Sequence, residues 1–244
     1  MMIRIKPVSI ATFAATAILL GAQAQAVPVT VMGTTVSFTF DSALAGLFGA
    51  PSVSGDSLYF TPSSFKAQSS SGAGFAVTSQ TFNVAVSANA GHQITGATLT
   101  ESGDYFNINT NFAGNEGVAV GGQFILRDLD SPFAAPVNAN IVALAPLTAT
   151  TTLATFGTVN WAAGASVNVP LGWGGQDGIV EGVNLTLQNI LVASSLNAAS
   201  SAFIEKKFAG IEIVTTPVPE PANYAMFLAG LGILGYLARR RAAA

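Results

Sequence analysis

The chain has no cysteine, one histidine and little charge: 9 Lys and Arg and 12 Asp and Glu among 244 residues. Without cysteine there can be no disulfide, no thiolate nucleophile and no cysteine-ligated zinc. His92 alone cannot supply the ligands of a catalytic zinc. It lies in the turn-like stretch "NAGHQITG", with no G-x-S-x-G elsewhere, so no Ser-His-Asp triad is expected. Basic residues are scarce and uneven. Between 27 and 214, eleven carboxylates face four bases (Lys66, Arg127, Lys206 and Lys207), a net of −7 against −3 for the whole chain. So acidic a surface argues against a nucleic-acid partner, whose affinity comes from neutralised phosphates. It suits solubility outside the cell.

Alternating apolar residues are plentiful. In "TVSFTF", Val36, Phe38 and Phe40 point one way; in "TFNVAVSA", Phe82, Val84 and Val86 do the same. "SVNVPLGW", "GVNLTLQNI" and "GIEIV" repeat the pattern with Val167 and Val169, Val183, Leu185 and Leu187, and Ile211 and Ile213. A period of two over short runs marks half-buried strands. Turn signals fall at Ser54-Gly55-Asp56, Asn89-Ala90-Gly91, Gly103-Asp104, Gly114-Asn115 and Gly174-Gly175. Residues 42–48 and 193–203 have room for a turn or two of helix. About ten short strands over this length predict an all-β fold, an antiparallel β-sandwich of jelly-roll type.

The two ends differ from this middle. Arg4 and Lys6 precede an uncharged apolar run over 10–20, and "AQAQA" sets Ala24 and Ala26 in an A-x-A arrangement. That is the layout of a signal peptide over 1–26, cleaved after Ala26. The other end reads "VPEPANYAMFLAGLGILGYLARRR". Residues 222–238 carry no charge and would make a helix of roughly 25 Å, the short limit for a bilayer span. Arg239, Arg240 and Arg241 follow, as the positive-inside rule expects. The expected order is signal peptide 1–26, exported sandwich 27–214, linker 215–221, transmembrane helix 222–238 and cytoplasmic basic tail 239–244.

Pro219, Glu220 and Pro221, then a helix rich in small residues, then the arginine cluster, resemble a PEP-CTERM sorting signal, also known as the ice-binding protein C-terminal domain. The resemblance covers only the tail. It implies recognition by a membrane-embedded exosortase, with Pro219, Glu220, Pro221 and the three arginines as recognition residues. It further implies export, a transient membrane anchor, processing near the tripeptide, and release to the envelope or an exopolysaccharide matrix.

Within the sandwich the candidates are fewer. Asp128 and Asp130 in "LRDLDSP" share a face if the strand continues. With Glu101 and Asp104 of "ESGDYF" they form a candidate calcium set, and as paired carboxylates they also fit an acid and nucleophile for glycosidic bonds. The plainer reading is a solvated strand end. Trp173, flanked by glycines in "LGWGGQDG", is a candidate for stacking on a sugar, against the alternative of core packing. The expectation is therefore a non-enzymatic structural or adhesive protein of the envelope or matrix. The alternative is a carbohydrate-binding or glycan-cleaving module.

Overall fold

The computed structural model describes residues 28–109, 117–148, 157–218 and 223–242. The chain forms β1 (Pro28–Met32), β2 (Val36–Asp41), β3 (Ser52–Ser54), β4 (Ser57–Phe60), β5 (Lys66–Ser70), β6 (Gly74–Ala88) and β7 (His92–Asn109). It continues through β8 (Gly117–Asp128), β9 (Val137–Asn140), β10 (Val142–Ala143), β11 (Val159–Asn168), β12 (Gly182–Ser195) and β13 (Ser200–Pro217) to one helix, α1 (Asn223–Ala242). One sheet has the order β1-β2-β6-β12-β8-β9. The other has β10-β11-β7-β13-β4-β3, with β5 also paired to β13. The pairings are antiparallel, and the two sheets pack face to face as the predicted sandwich.

Four strands are much longer than the alternation suggested: β7 and β13 have 18 residues each, β6 has 15 and β12 has 14. Gly103-Asp104, read as a turn, lies inside β7, where Gly103 pairs with Trp161 of β11 on one side and Lys206 of β13 on the other. The glycine is there for closeness. A Cβ at this position would sit 1.9 Å from the Glu205 carbonyl oxygen and 2.9 Å from Trp161 Nε1. The bare backbone lets the Trp161 indole cross β7 and donate its N–H to the Glu205 carbonyl at 3.0 Å. Thr215, Thr216 and Pro217, expected in a linker, continue β13 against Ile94, Gln93 and His92. Residues 42–48 form two single 3-10 turns, whereas 193–203 mostly extends the strands β12 and β13 around a tight turn.

The core lies where the period-two pattern puts it. Phe38 and Phe40 from β2, Phe82, Val84 and Val86 from β6, and Leu185, Leu187 and Leu191 from β12 are buried from one sheet. Leu58 and Phe60 from β4, Leu99 from β7, and Ile204 and Ile211 from β13 meet them from the other. Phe48, on the second 3-10 turn, completes an aromatic cluster, with ring centroids 5.3 Å from both Phe60 and Phe65. Phe60 meets Phe82 edge-on at 4.9 Å, a geometry favoured by the ring quadrupoles. At one end, Thr35 after β1 donates its backbone N–H and hydroxyl to Asp56 of the β3–β4 turn at 2.7 and 2.6 Å. Burial opposes the Asp56 charge, yet these Thr35 bonds hold its carboxyl below the usual 3.8.

Two predictions follow from this packing. Gly103→Ala should lower stability by about 1–3 kcal/mol through overpacking, read as a drop in the denaturant midpoint with a changed near-ultraviolet signal from Trp161. A depressed folded-state pKa means that Asp56 stabilises the fold above pH 3.8 and that this contribution fades as pH falls through the lower folded value. Asp56→Asn should therefore flatten the acid limb of stability against pH. An unchanged limb would contradict the assignment.

Candidate functional site

The candidate carboxylates are taken up by the fold. Asp128 closes β8 and is buried. Its Oδ1 accepts the backbone N–H of Asp130, and its Oδ2 that of Gly174, both at 2.9 Å. The next turn is held the same way. Asp130 Oδ2 accepts from the N–H groups of Glu181 and Gly182 at 3.0 and 3.2 Å, and Ser131 Oγ accepts from Gly175 at 3.0 Å. The two aspartates thus clamp the loop 169–181, which takes positive φ at Gly174 (86°) and Gly175 (65°). Glu101 and Asp104 do not join them. They lie on β7 in the other sheet, three residues apart, so one points into the core and the other outward. Among the described residues no group of three or more His, Asp or Glu side chains is placed to hold a metal ion. The calcium set is therefore corrected: spacing along a strand placed Asp128 near Asp130 but could not show which sheet would hold Glu101 and Asp104.

Trp173 is corrected as well. It does sit on the loop, but only 5 % of it is exposed, which leaves no ring face for a sugar. The Asp128 clamp draws the loop down and packs the indole inside. His92 opens β7 opposite Pro217, and its Nδ1 is buried with no hydrogen-bond partner, so no carboxylate orients it as a base.

Ala24, Ala26, Pro219, Glu220 and Pro221 lie outside the described residues. The helix expected after them is present as α1, 20 residues running from Asn223 through Arg239, Arg240 and Arg241 to Ala242. Among the described residues no helix is long and apolar enough to cross a membrane, which departs from the span expected over 222–238. Asn223 takes one end of the helix and the arginines the other. The apolar remainder is only about 20 Å long, against roughly 30 Å of hydrocarbon. It is nonetheless conspicuously bare. Met226, Phe227, Leu228, Leu231, Ile233 and Leu234 are each between 49 and 72 % exposed.

One polar cluster had not been singled out from the sequence. Glu101 of β7 and Lys206 of β13 have no exposed side-chain area, and Asn189 of β12 faces them from the opposite sheet with 1 % exposed. Glu101 Oε1 lies 2.5 Å from Lys206 Nζ and 2.5 Å from Asn189 Nδ2. Phe65, Phe48 and Trp161 surround the ammonium, with ring centroids at 5.3, 5.8 and 5.9 Å. Burial pushes Lys206 down from 10.5 to about 8, while the charge and hydrogen bond of Glu101 hold it from falling further. Glu101 Oε2 and Asn189 Oδ1 are buried without a hydrogen-bond partner. The signal was present in the alternation: Ala202, Ile204 and Lys206 share one face of β13, as Leu187, Asn189 and Leu191 share one face of β12. Outside, Lys207 pairs with Asp104 and, at 3.1 Å, with Glu205.

A family model described as the PEP-CTERM protein-sorting motif matches residues 217–242, so the chain carries that motif at its C-terminal end. No curated protein matches the chain. Among solved structures, that described as "Structure of infectious bursal disease virus Gt strain" is similar at 12 % identity and a TM-score of 0.22. The similarity covers 82 % of this chain and 60 % of that one. So low a score carries no argument.

If Asp128 is a clamp, Asp128→Ala should cost about 2–3 kcal/mol, the loss of two charge-assisted hydrogen bonds to buried or half-buried N–H groups. It should also raise Trp173 exposure to a fluorescence quencher. Added calcium should leave the wild-type melting temperature unchanged; a calcium-dependent rise would restore the metal reading.

Proposed function

We propose that this is an exported, non-enzymatic structural or adhesive protein of the cell envelope or an exopolysaccharide matrix, delivered there by its sorting motif. The observation that carries this reading is the motif at 217–242 on a helix with six large apolar side chains exposed between Met226 and Leu234. Such a surface calls for lipid or a membrane protein as its neighbour, and not water. Because the apolar part is short, insertion would thin the bilayer or need a membrane-embedded partner. An exosortase that holds the helix and cuts near Pro219, Glu220 and Pro221 meets that need. The sandwich is then the cargo. Of its candidate carboxylates, Asp128 and Asp130 are occupied by backbone N–H groups and Glu101 and Asp104 by lysines, which supports a passive role over a hydrolytic one.

One observation favours a second, glycan-binding reading. The outer face of the first sheet is broad and nearly uncharged, with Thr30, Thr39, Asn83, Thr186, Gln123 and Gln188 side by side across β1, β2, β6, β12 and β8. Hydroxyl and amide groups on a flat face suit weak hydrogen bonding to a neutral polysaccharide, without Trp173. A glycan array on the exported form separates the two readings: saturable binding lost in Asn83→Asp favours the second, and silence leaves the first.

The sorting claim has its own test. Mass spectrometry of the released protein should find a C-terminus upstream of Ala222. Replacing Pro219, Glu220 and Pro221 together by alanine should keep the full tail in the membrane fraction. Recovery of the intact tail outside the cell would contradict the reading.

A further inference from the structure

The Lys206, Glu101 and Asn189 cluster is an odd choice for a passive core. A buried Lys–Glu pair seldom adds stability over an apolar packing of the same volume. It also does not account for Asn189, which reaches from the opposite sheet to the same Glu101 oxygen while its own Oδ1 is left orphaned. Buried polar atoms without partners are rare enough to need a reason. Here the three groups present are an amine, a carboxamide and a carboxyl that touches both, in a pocket walled by three aromatic rings.

We propose that Lys206 and Asn189 become joined by an isopeptide bond after folding, with Glu101 as the proton-transfer group, so that β13 of one sheet is covalently tied to β12 of the other. The step needs no oxidant and no cofactor. Lys206 Nζ passes a proton to Glu101 across their 2.5 Å contact. Burial eases that transfer by lowering the ammonium to about 8. The freed lone pair attacks Asn189 Cγ, and the Glu101 O–H polarises the Asn189 carbonyl oxygen. As the tetrahedral intermediate collapses, the Cγ–Nδ2 bond breaks, Nδ2 takes one of the attacking amine's two remaining protons through Glu101, and ammonia leaves. The Nζ–Cγ bond remains as a secondary amide.

Ordinary amides resist amines. What changes here is position, since two reacting groups held on rigid strands gain an effective molarity of order 10⁵ M or more. The product also settles the bookkeeping of polar atoms. The new N–H donates to one Glu101 oxygen, and the carboxyl O–H donates to the former Asn189 carbonyl, so both orphans are answered and a charge pair leaves the dry core. In a chain with no cysteine, this supplies the covalent staple that an exported β-sandwich otherwise lacks.

Cleavage after glutamate tests it on the full wild-type protein, purified folded and then denatured. Cuts at Glu181, Glu205 and Glu212 place Asn189 in peptide 182–205 and Lys206 in peptide 206–212. The expected result is a branched peptide containing both, about 17 Da lighter than their sum, the mass of one ammonia. Fragmentation should map the branch to Lys206 and not to Lys207. Glu101→Gln should give the two linear peptides at full mass. Asn189→Asp should still branch, now with loss of water, about 18 Da. Two linear peptides from the wild-type protein would overturn the proposal, whatever the variants do. A branch at Lys207, or one that persists in Glu101→Gln, would overturn the assigned roles.

Discussion

Two wide sheets that bury their facing sides must bring the polar groups between them together, and in this chain those groups converge on one carboxyl. Glu101 is the contact through which β7, β12 and β13 meet inside the sandwich. Around it the rule is kept by apolar side chains: Phe48, Phe60, Phe65 and Phe82 pack edge to face, and Trp161 finds its acceptor by crossing Gly103. Removing either partner of such a contact would strand a charge in a dry interior, at a cost of about 3–5 kcal/mol. The arrangement is therefore stiff. Tolerance for change lies elsewhere, on the outer faces and loops.

The same demand explains where the acidic residues at the strand ends are placed. Asp128 and Asp130 look reactive when only their spacing is considered, but a glycine-rich loop with unpaired N–H groups must be fastened, and a carboxylate at a strand end is the nearest acceptor. Asp56 does the equivalent for Thr35, in the turn after β1. Of the four carboxylates that seemed to form a site, Asp128 and Asp130 are structural fasteners, Asp104 pairs with Lys207 on the outside, and Glu101 is internal.

Much of the architecture was legible. Period-two runs such as that from Val36 to Phe40, or Val183 to Leu187, located strands and the buried side of each, because burial on one face imposes that period. Strand lengths were not legible, since Gly103 looks like a turn until its neighbours Trp161 and Lys206 are known. The site was legible only in part. A single sequence shows which face of its own strand a residue takes, so Lys206 and Asn189 could each have been marked as inward polar exceptions. It does not show which strands become neighbours, and so it could not bring together residues 88 positions apart, as Glu101 and Asn189 are. The tail was the reverse case: a contiguous motif whose meaning lies in local order, and which needed no tertiary structure to be read.

The central claim is that the two sheets form one mechanical and thermodynamic body, tied through the Glu101 cluster. Native-state amide hydrogen exchange tests it most directly. The account predicts that the buried amides of β12 and β13 exchange with one common free energy, that of global unfolding. If β12 opened and exchanged while β13 stayed protected, the sheets would be separable units and the account would be wrong.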